Sequence, residues 1–140
     1  MDTLAGPDNM MEHRIVRRKG IPKMSETKAV RNVYEMRVYH CCAGGMPLLL
    51  KRFETDTCRL FEKHGIKPVG FWRVAIGGSN ADLIYMLQWE SLSDREKRSK
   101  AFNEDPEWIE ALARHRAAHG QVVASVTNSI LTPTSFSLLQ

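Results

Sequence analysis

The sequence predicts an α+β fold, a four-stranded antiparallel sheet with helices packed on one face. Segments with strand-like and helix-like patterns follow one another in the order β-α-β-β-α-β, and a short glycine-rich turn joins the two middle strands. The chain has 140 residues, of which 43% are hydrophobic and 26% charged, so it suits one ordinary globular domain. This composition excludes a collagen, a fully disordered protein and a disulfide scaffold.

The first strand and the first helix are separated by Gly44-Gly45. The strand is predicted over residues 33–40, where side chains alternate between two sides. The two sets are Tyr34, Met36 and Val38 on one side, and Val33, Glu35, Arg37 and Tyr39 on the other. The helix is predicted over residues 46–64, because Pro47 suits a first helical turn and Gly65 a C-terminal stop. Its apolar residues recur at helical spacing: Leu49, Phe53, Leu60 and Phe61.

A β-hairpin is predicted next. Residues 67–76 are rich in aromatic and β-branched side chains, which favours a second strand, and residues 83–89 form a third. The turn cluster between them is short, so the two strands run antiparallel. The tryptophans on these strands and on the last helix, Trp72, Trp89 and Trp108, are expected in the core.

Two helices follow the hairpin. Ser93 is predicted to cap a short basic helix that runs to about Asn103, since a glutamate three positions later completes a capping box. Asp105 and Pro106 are typical of the N-cap and first residue of another helix, which Gly120 ends. We expect that helix to present one mainly apolar face, made of Trp108, Ile109, Leu112 and His115.

The last strand is predicted over residues 122–131, and the complete order is that of a ferredoxin-like fold. Because the helices share one face, the other face of the sheet is left uncovered. We expect it to carry Val33 and Tyr39, together with Glu35 and Arg37. An uncovered apolar face favours a partner, and two copies packed sheet to sheet are the simplest symmetric solution. The sequence thus predicts a homodimer with Glu35 and Arg37 at the interface.

Five segments in chain order resemble motifs of the NIPSNAP family. They are YEMRVY at 34–39, VGFW at 69–72, QWESLSDR at 88–95, DPEW at 105–108 and NSILTPTSFS at 128–137. The resemblance covers about residues 33–138, which we take as the domain. It implies the dimeric α/β barrel form of the ferredoxin-like fold and no agreed enzymatic activity. Related barrel families include cofactor-free oxygenases, haem-degrading enzymes and muconolactone-type isomerases, which is an analogy of fold only.

Six residues are candidates for binding a ligand. Tyr34, Trp72 and Trp89 are candidate walls of a pocket between sheet and helices, and Arg37, Tyr39 and Arg73 are candidates for holding the ligand. Aromatic side chains suit an apolar ligand body, and arginine suits a carboxylate. The expected ligand is therefore a small molecule that is partly apolar or anionic. No cofactor is expected, because the glycine pairs lack the rest of a phosphate-binding motif.

His64 and His115 are the candidates for a general base. His115 and His119 lie four residues apart on a helix, but the HExxH motif is absent, so no metal site is predicted. The three cysteines show no CxxC spacing, which indicates reduced thiols. No Ser-His-Asp or Cys-His set stands out by spacing alone.

The formal net charge of +4 is unevenly distributed. Residues 1–30 carry six Lys and Arg against four Asp and Glu, so the remaining domain is nearly neutral and no nucleic-acid partner is expected. Residues 1–32 are predicted to be a flexible leader, with its basic cluster at Arg14–Lys19. Three interpretations of the leader stay open: a native segment, an extension upstream of a translation start at Met24, or a mitochondrial transit peptide. The acidic residues of the leader argue against a transit peptide.

We expect a small, homodimeric, cytoplasmic protein of unassigned activity, with no transmembrane segment because no apolar run is long enough. Two alternatives stay open. One is a cofactor-independent monooxygenase or isomerase with His64 or His115 as its base. The other is a non-catalytic interaction or trafficking module.

Overall fold

The computed structural model describes residues 31–140. Its strands and helices are β1 Val33–Cys41, α1 Gly45–Arg52, a π-helical segment Phe53–Thr57, α2 Cys58–Lys63, β2 Lys67–Arg73, β3 Asp82–Trp89, α3 Leu92–Asn103, α4 Pro106–His119 and β4 Val123–Leu131. The predictions made for the leader, from the basic cluster at Arg14–Lys19 to the start at Met24, lie outside the described residues.

The four strands form one antiparallel sheet in the order β2-β3-β1-β4. The predicted α+β, ferredoxin-like arrangement is therefore confirmed, with β1 in the interior of the sheet. The strand β2 ends at Arg73 rather than at residue 76. The chain has already left the sheet before the turn at Gly77 and Gly78, both of which have positive φ angles.

The face of β1 predicted to be uncovered is the one that the helices cover. Glu35 is fully buried, and the ring of Tyr39 lies 5.3 Å from that of Tyr85 and 6.0 Å from that of Phe53. Val33 also packs against the core. The prediction was wrong because side-chain alternation separates the two faces of a strand without identifying the buried one. The charged residues Glu35 and Arg37 favoured exposure of their face to solvent. We call the other side, with Met36 and Val38, the open face.

The first helix contains a π-helical segment between α1 and α2, which the sequence pattern does not predict. Both ends of the segment point inwards, since Phe53 is 5% exposed and Thr57 3% exposed. A π-turn holds one more residue than an α-turn and often marks a functional site. The predicted core positions are confirmed, because Leu49 and Leu60 are fully buried.

The caps of the last two helices differ in how well they were predicted. Asp105 caps α4 as expected, and its Oδ1 accepts a hydrogen bond of 2.8 Å from the Glu107 backbone N–H. The cap of α3 is Ser91 rather than Ser93, and its Oγ accepts from the Asp94 N–H at 3.0 Å. Both serines precede an acidic residue by three positions, so the pattern alone leaves the register open.

The apolar face expected on α4 is narrower than predicted. Trp108 and Ala111 are buried, whereas Ile109 is 55% exposed and Leu112 36% exposed. Trp89 lies in the core as predicted. Trp72 does not, because it lies on the open face and is 49% exposed. Within residues 31–140, no helix is both long enough and apolar enough to cross a membrane.

Candidate functional site

A cavity lies between the helix-covered face of the sheet and the helices above it. It has a volume of about 80 Å³, which is room for several waters. Its walls are mainly aromatic: Tyr39, Phe53, Phe61, Tyr85, Trp89, Phe102 and Trp108. The π-helical segment contributes to these walls through Phe53 and Thr57. A space of this size accepts a small ligand or a few ordered waters.

Two arginines line this aromatic cavity, Arg37 from β1 and Arg52 from the end of α1. The Nε atoms of both guanidinium groups are buried and have no hydrogen-bond partner among the described residues. Burial lowers the pKa of Arg52, and its guanidinium lies 5.9 Å from the ring centroid of Trp108. A buried donor without a partner costs about 1–3 kcal/mol, and more when it is charged. Both groups are therefore suited to an anionic acceptor.

Glu35 is the buried carboxylate beside these arginines, but its hydrogen bonds are with other residues. Its two oxygens accept bonds of 2.8 Å from the Nε and Nη2 atoms of Arg95, and Oε2 also accepts from Trp89 Nε1 at 3.0 Å. Arg37 Nη1 is farther away, at 3.5 Å. Glu35 thus neutralises Arg95 first, and the charge of Arg37 is compensated only in part.

The same bonds hold the pKa of Glu35 below its ordinary value of 4.5. Burial by itself raises that pKa, but hydrogen bonds from Arg95 and Asn128 and the charges of Arg95 and Arg37 outweigh it. Glu35 is therefore ionised at neutral pH even though its side chain has no contact with solvent.

Tyr85 supplies a neutral hydroxyl to the cavity wall. Burial raises the pKa of Tyr85 far above its ordinary value of 10.0, and the neighbouring Tyr39 adds to the increase. The Arg37 guanidinium lies 5.9 Å from the Tyr85 ring centroid and 5.5 Å from that of Tyr39. Tyr85 therefore stays a phenol at physiological pH and is able to donate a hydrogen bond.

Most of the described chain matches the family model described as NIPSNAP, over residues 34–138. The chain belongs to the NIPSNAP family. The resemblance of the five sequence motifs to that family is thereby confirmed. The match includes all four strands from Tyr34 onwards and every helix of the described residues, so the aromatic cavity lies wholly within the NIPSNAP domain.

Crystal structures of NIPSNAP proteins share this fold. A NIPSNAP family protein of unknown function from Agrobacterium tumefaciens is 27% identical, with a TM-score of 0.70 over 80% of this chain and 96% of that one. A second one from the same organism is 28% identical, with a TM-score of 0.69 over 79% of this chain and 92% of that one. An uncharacterised NIPSNAP-like domain protein from Burkholderia xenovorans is 24% identical over 76% of this chain and 89% of that one, with a TM-score of 0.67, and supports the fold alone. A search of curated proteins gave no match.

The structure of this NIPSNAP chain places three of the six predicted ligand residues, Arg37, Tyr39 and Trp89, in the cavity wall. The other three lie elsewhere. Tyr34 is on the open face, where its hydroxyl donates to the Gln140 carbonyl oxygen at 3.1 Å. Trp72 is also on the open face, and Arg73 is exposed near the end of β2.

Arg52 is the cavity residue that sequence reasoning missed. It follows Lys51 on the helix, and two adjacent cations are typical of a solvated helix surface. The signal that would have found it is its position immediately before Phe53, a residue predicted for the core. The π-helical segment begins at that point, and α1 ends with Arg52 beside the cavity.

The two candidate bases do not line the cavity. The Nε2 atom of His64 is 2.6 Å from Asp105 Oδ2, beneath the start of α4. His115 lies in a neighbouring groove, where its Nε2 is 3.3 Å from the Leu48 carbonyl oxygen and burial lowers its pKa. Its ring lies 4.9 Å from that of His119, and residues 31–140 contain no group of three side chains arranged to hold a metal.

Proposed function

We propose that this NIPSNAP chain binds a small carboxylate with a partly apolar body in the aromatic cavity. The observation that carries the proposal is a pair of partly buried arginines, Arg37 and Arg52, whose buried Nε atoms have no partner among the described residues. A carboxylate offers acceptors to both, and bonds between ionised groups are about twice as strong as neutral ones.

The cavity also limits the size of this ligand. Its volume of about 80 Å³ is small beside typical ligand pockets, so the ligand belongs to the size class of acetate to benzoate. The aromatic walls favour a ring or a short alkyl group next to the carboxylate, and the Tyr85 hydroxyl is a further donor.

Binding, rather than catalysis, is the function that the cavity supports. An oxygenase or isomerase needs a base within hydrogen-bond reach of its substrate. Neither His64 nor His115 lines the cavity, and the raised pKa of Tyr85 keeps it protonated at physiological pH. Glu35 is ionised, but its oxygens are occupied by Arg95 and Trp89.

Replacement of Arg52 or Arg37 by methionine is expected to weaken benzoate binding about 10-fold to 100-fold. Methionine retains an apolar stem but removes a charged donor, and a hydrogen bond to a charged group contributes about 1.5–3 kcal/mol. Isothermal titration calorimetry with acetate, benzoate and phenylacetate measures the change. Arg73→Met is the matched control, because Arg73 is exposed and lies outside the cavity wall.

Benzyl alcohol is the matched ligand, because it retains the ring and lacks the charge. If benzyl alcohol binds the wild type as tightly as benzoate does, or if Arg73→Met weakens benzoate as much as Arg52→Met does, the carboxylate proposal is wrong.

We also propose that two copies pair through the open face. Apolar side chains of three neighbouring strands lie there: Met36, Val38, Trp72, Ile84 and Met86. No helix of the described residues covers this face, and Trp72 is 49% exposed. A second copy offers the same apolar surface, which is the requirement for a two-fold symmetric interface. Arg37 and Glu35 have no part in this interface, because they face the helices.

Trp72→Lys is expected to weaken the dimer about 30-fold or more, since a buried tryptophan at an interface commonly contributes 2 kcal/mol or more. Because Trp72 is half-exposed within one chain, the fold tolerates the change. Light scattering over a dilution series measures the mass. Ile109→Lys, 55% exposed on α4, is the control and keeps the wild-type mass. A Trp72→Lys protein that stays dimeric at the dilution where wild type does would contradict the interface.

A further inference from the structure

A groove between α4 and β4 adjoins the aromatic cavity on the helix-covered side of the sheet. Its volume is about 590 Å³. The groove and the cavity share four lining residues: Tyr39, Arg52, Asn103 and Trp108. Because each of these side chains contacts both spaces, they form the junction between the groove and the cavity. The groove therefore continues the ligand site outwards, towards solvent.

Pairing of two copies through the open face leaves this groove uncovered. The register places Val126 directly opposite Tyr39, so both side chains lie on the face of the sheet that bears the helices. The remaining groove residues come from α3, from α4 and from the segment that joins α4 to β4. The proposed interface lies on the opposite face of the sheet, so a ligand is able to reach the groove in the pair.

The two arginines of the ligand site differ in the spaces that they contact. Arg37 lines the cavity alone, whereas Arg52 lines both the cavity and the groove. The guanidinium of Arg37 is 5.5 Å from the ring centroid of Tyr39, which is itself a junction residue. A carboxylate that accepts hydrogen bonds from both arginines therefore lies close to the junction. The carbon atom that bears this carboxylate then has space on two sides, one in the cavity and one in the groove.

The groove offers apolar surface that is in contact with water. Its lining includes the apolar residues Leu112, Val122, Val123 and Val126, together with the polar His115 and Arg116. Leu112 is 36% exposed and Val126 44% exposed. An apolar group that covers these two side chains removes apolar surface from water, which is favourable. The groove is thus suited to a second apolar group of the same ligand.

We infer that the ligand is a carboxylate with two apolar arms on the carbon that carries the carboxylate, one arm in the aromatic cavity and the other in the groove. This inference rests on the proposed function, since it takes Arg37 and Arg52 as the carboxylate site. The cavity volume limits the size of the first arm only, and the second arm adds to it. The ligand class is therefore that of α-branched carboxylates.

The test compares phenylacetate, which has one arm, with diphenylacetate, which has two. Isothermal titration calorimetry on the full chain measures both affinities. Diphenylacetate should bind to wild type about 10-fold more tightly, because the second ring buries further apolar surface. Phenylacetate reports on the carboxylate site without the second arm.

A double variant, Leu112→Gln with Val126→Thr, removes apolar contact from the groove and keeps side chains of similar size. Both positions are partly exposed and lie outside the cavity wall, so the fold tolerates the changes. The ratio of the two affinities should fall from about 10-fold to about 3-fold or less. Ile109→Gln is the matched control, since Ile109 is 55% exposed on α4 and lines neither the cavity nor the groove. That variant should keep the wild-type ratio.

Equal affinities of wild type for the two acids, or a ratio that the double variant retains, would overturn the two-armed ligand. If phenylacetate binding is still weakened by Arg52→Met in such a case, the proposed function stands and the assignment of the groove alone is wrong. Phenylacetate binding that is equal in wild type and Arg52→Met would overturn the carboxylate site, and both proposals with it.

Discussion

Glu35→Ala should lower the free energy of unfolding by about 3 kcal/mol. Glu35 has no solvent exposure, and removing one partner of a buried ion pair costs about 3–5 kcal/mol because the other charge stays buried. The lower end of that range applies here, because the side chain of Arg95 is 29% exposed and its charge is partly hydrated once Glu35 is removed. Trp89 Nε1 also loses its acceptor. Urea denaturation at neutral pH measures the change.

Glu54→Ala is the matched control for that experiment. Glu54 is 71% exposed, and its carboxylate is 3.8 Å from Lys51 Nζ, so the change should alter stability by no more than about 0.5 kcal/mol. Acidification supplies a second check. Because folding lowers the pKa of Glu35, its contribution is present above its ordinary pKa of 4.5 and is lost as the pH falls through the folded value. If the difference in free energy of unfolding between wild type and Glu35→Gln grows as the pH falls, the ion-pair explanation is wrong.

Leu60→Ala should lower the free energy of unfolding by about 2–5 kcal/mol. Leu60 is fully buried on α2, and a buried leucine cut to alanine loses its transfer free energy and leaves a cavity. The loss is a large part of the total stability of a domain this size, which is about 5–15 kcal/mol. Thermal and urea denaturation should agree on the direction.

Leu92→Ala makes the same chemical change on another helix. Leu92 is 58% exposed at the start of α3, so the effect should stay within about 0.5 kcal/mol. Equal losses for the two leucines would mean that α2 does not pack against the sheet as described.

The cavity separates what sequence patterns reveal from what they conceal. Arg37, Tyr39 and Trp89 were predicted as ligand residues and do line it, although the alternation of β1 had placed Arg37 and Tyr39 on the face predicted to be uncovered. Arg52 was missed, since nothing in a helical pattern distinguishes a partly buried arginine from a solvated one. The contacts of His40 with Asp82 and Thr127 join residues up to 87 positions apart in the chain, a separation that no motif predicts.

The sequence by itself determined the order and type of the strands and helices, the α4 cap at Asp105 and the family. These follow from local physics: side-chain alternation, helical spacing, capping and glycine turns act within a few residues. The tertiary structure alone decided which face of β1 the helices cover, and so placed Glu35 and Arg37 inside the molecule rather than at an interface. The physical reason is that side chains alternate between the two faces of a strand, and this alternation is the same whichever face is buried. Only partners distant in the chain, Arg95 above all, make burial of a carboxylate favourable.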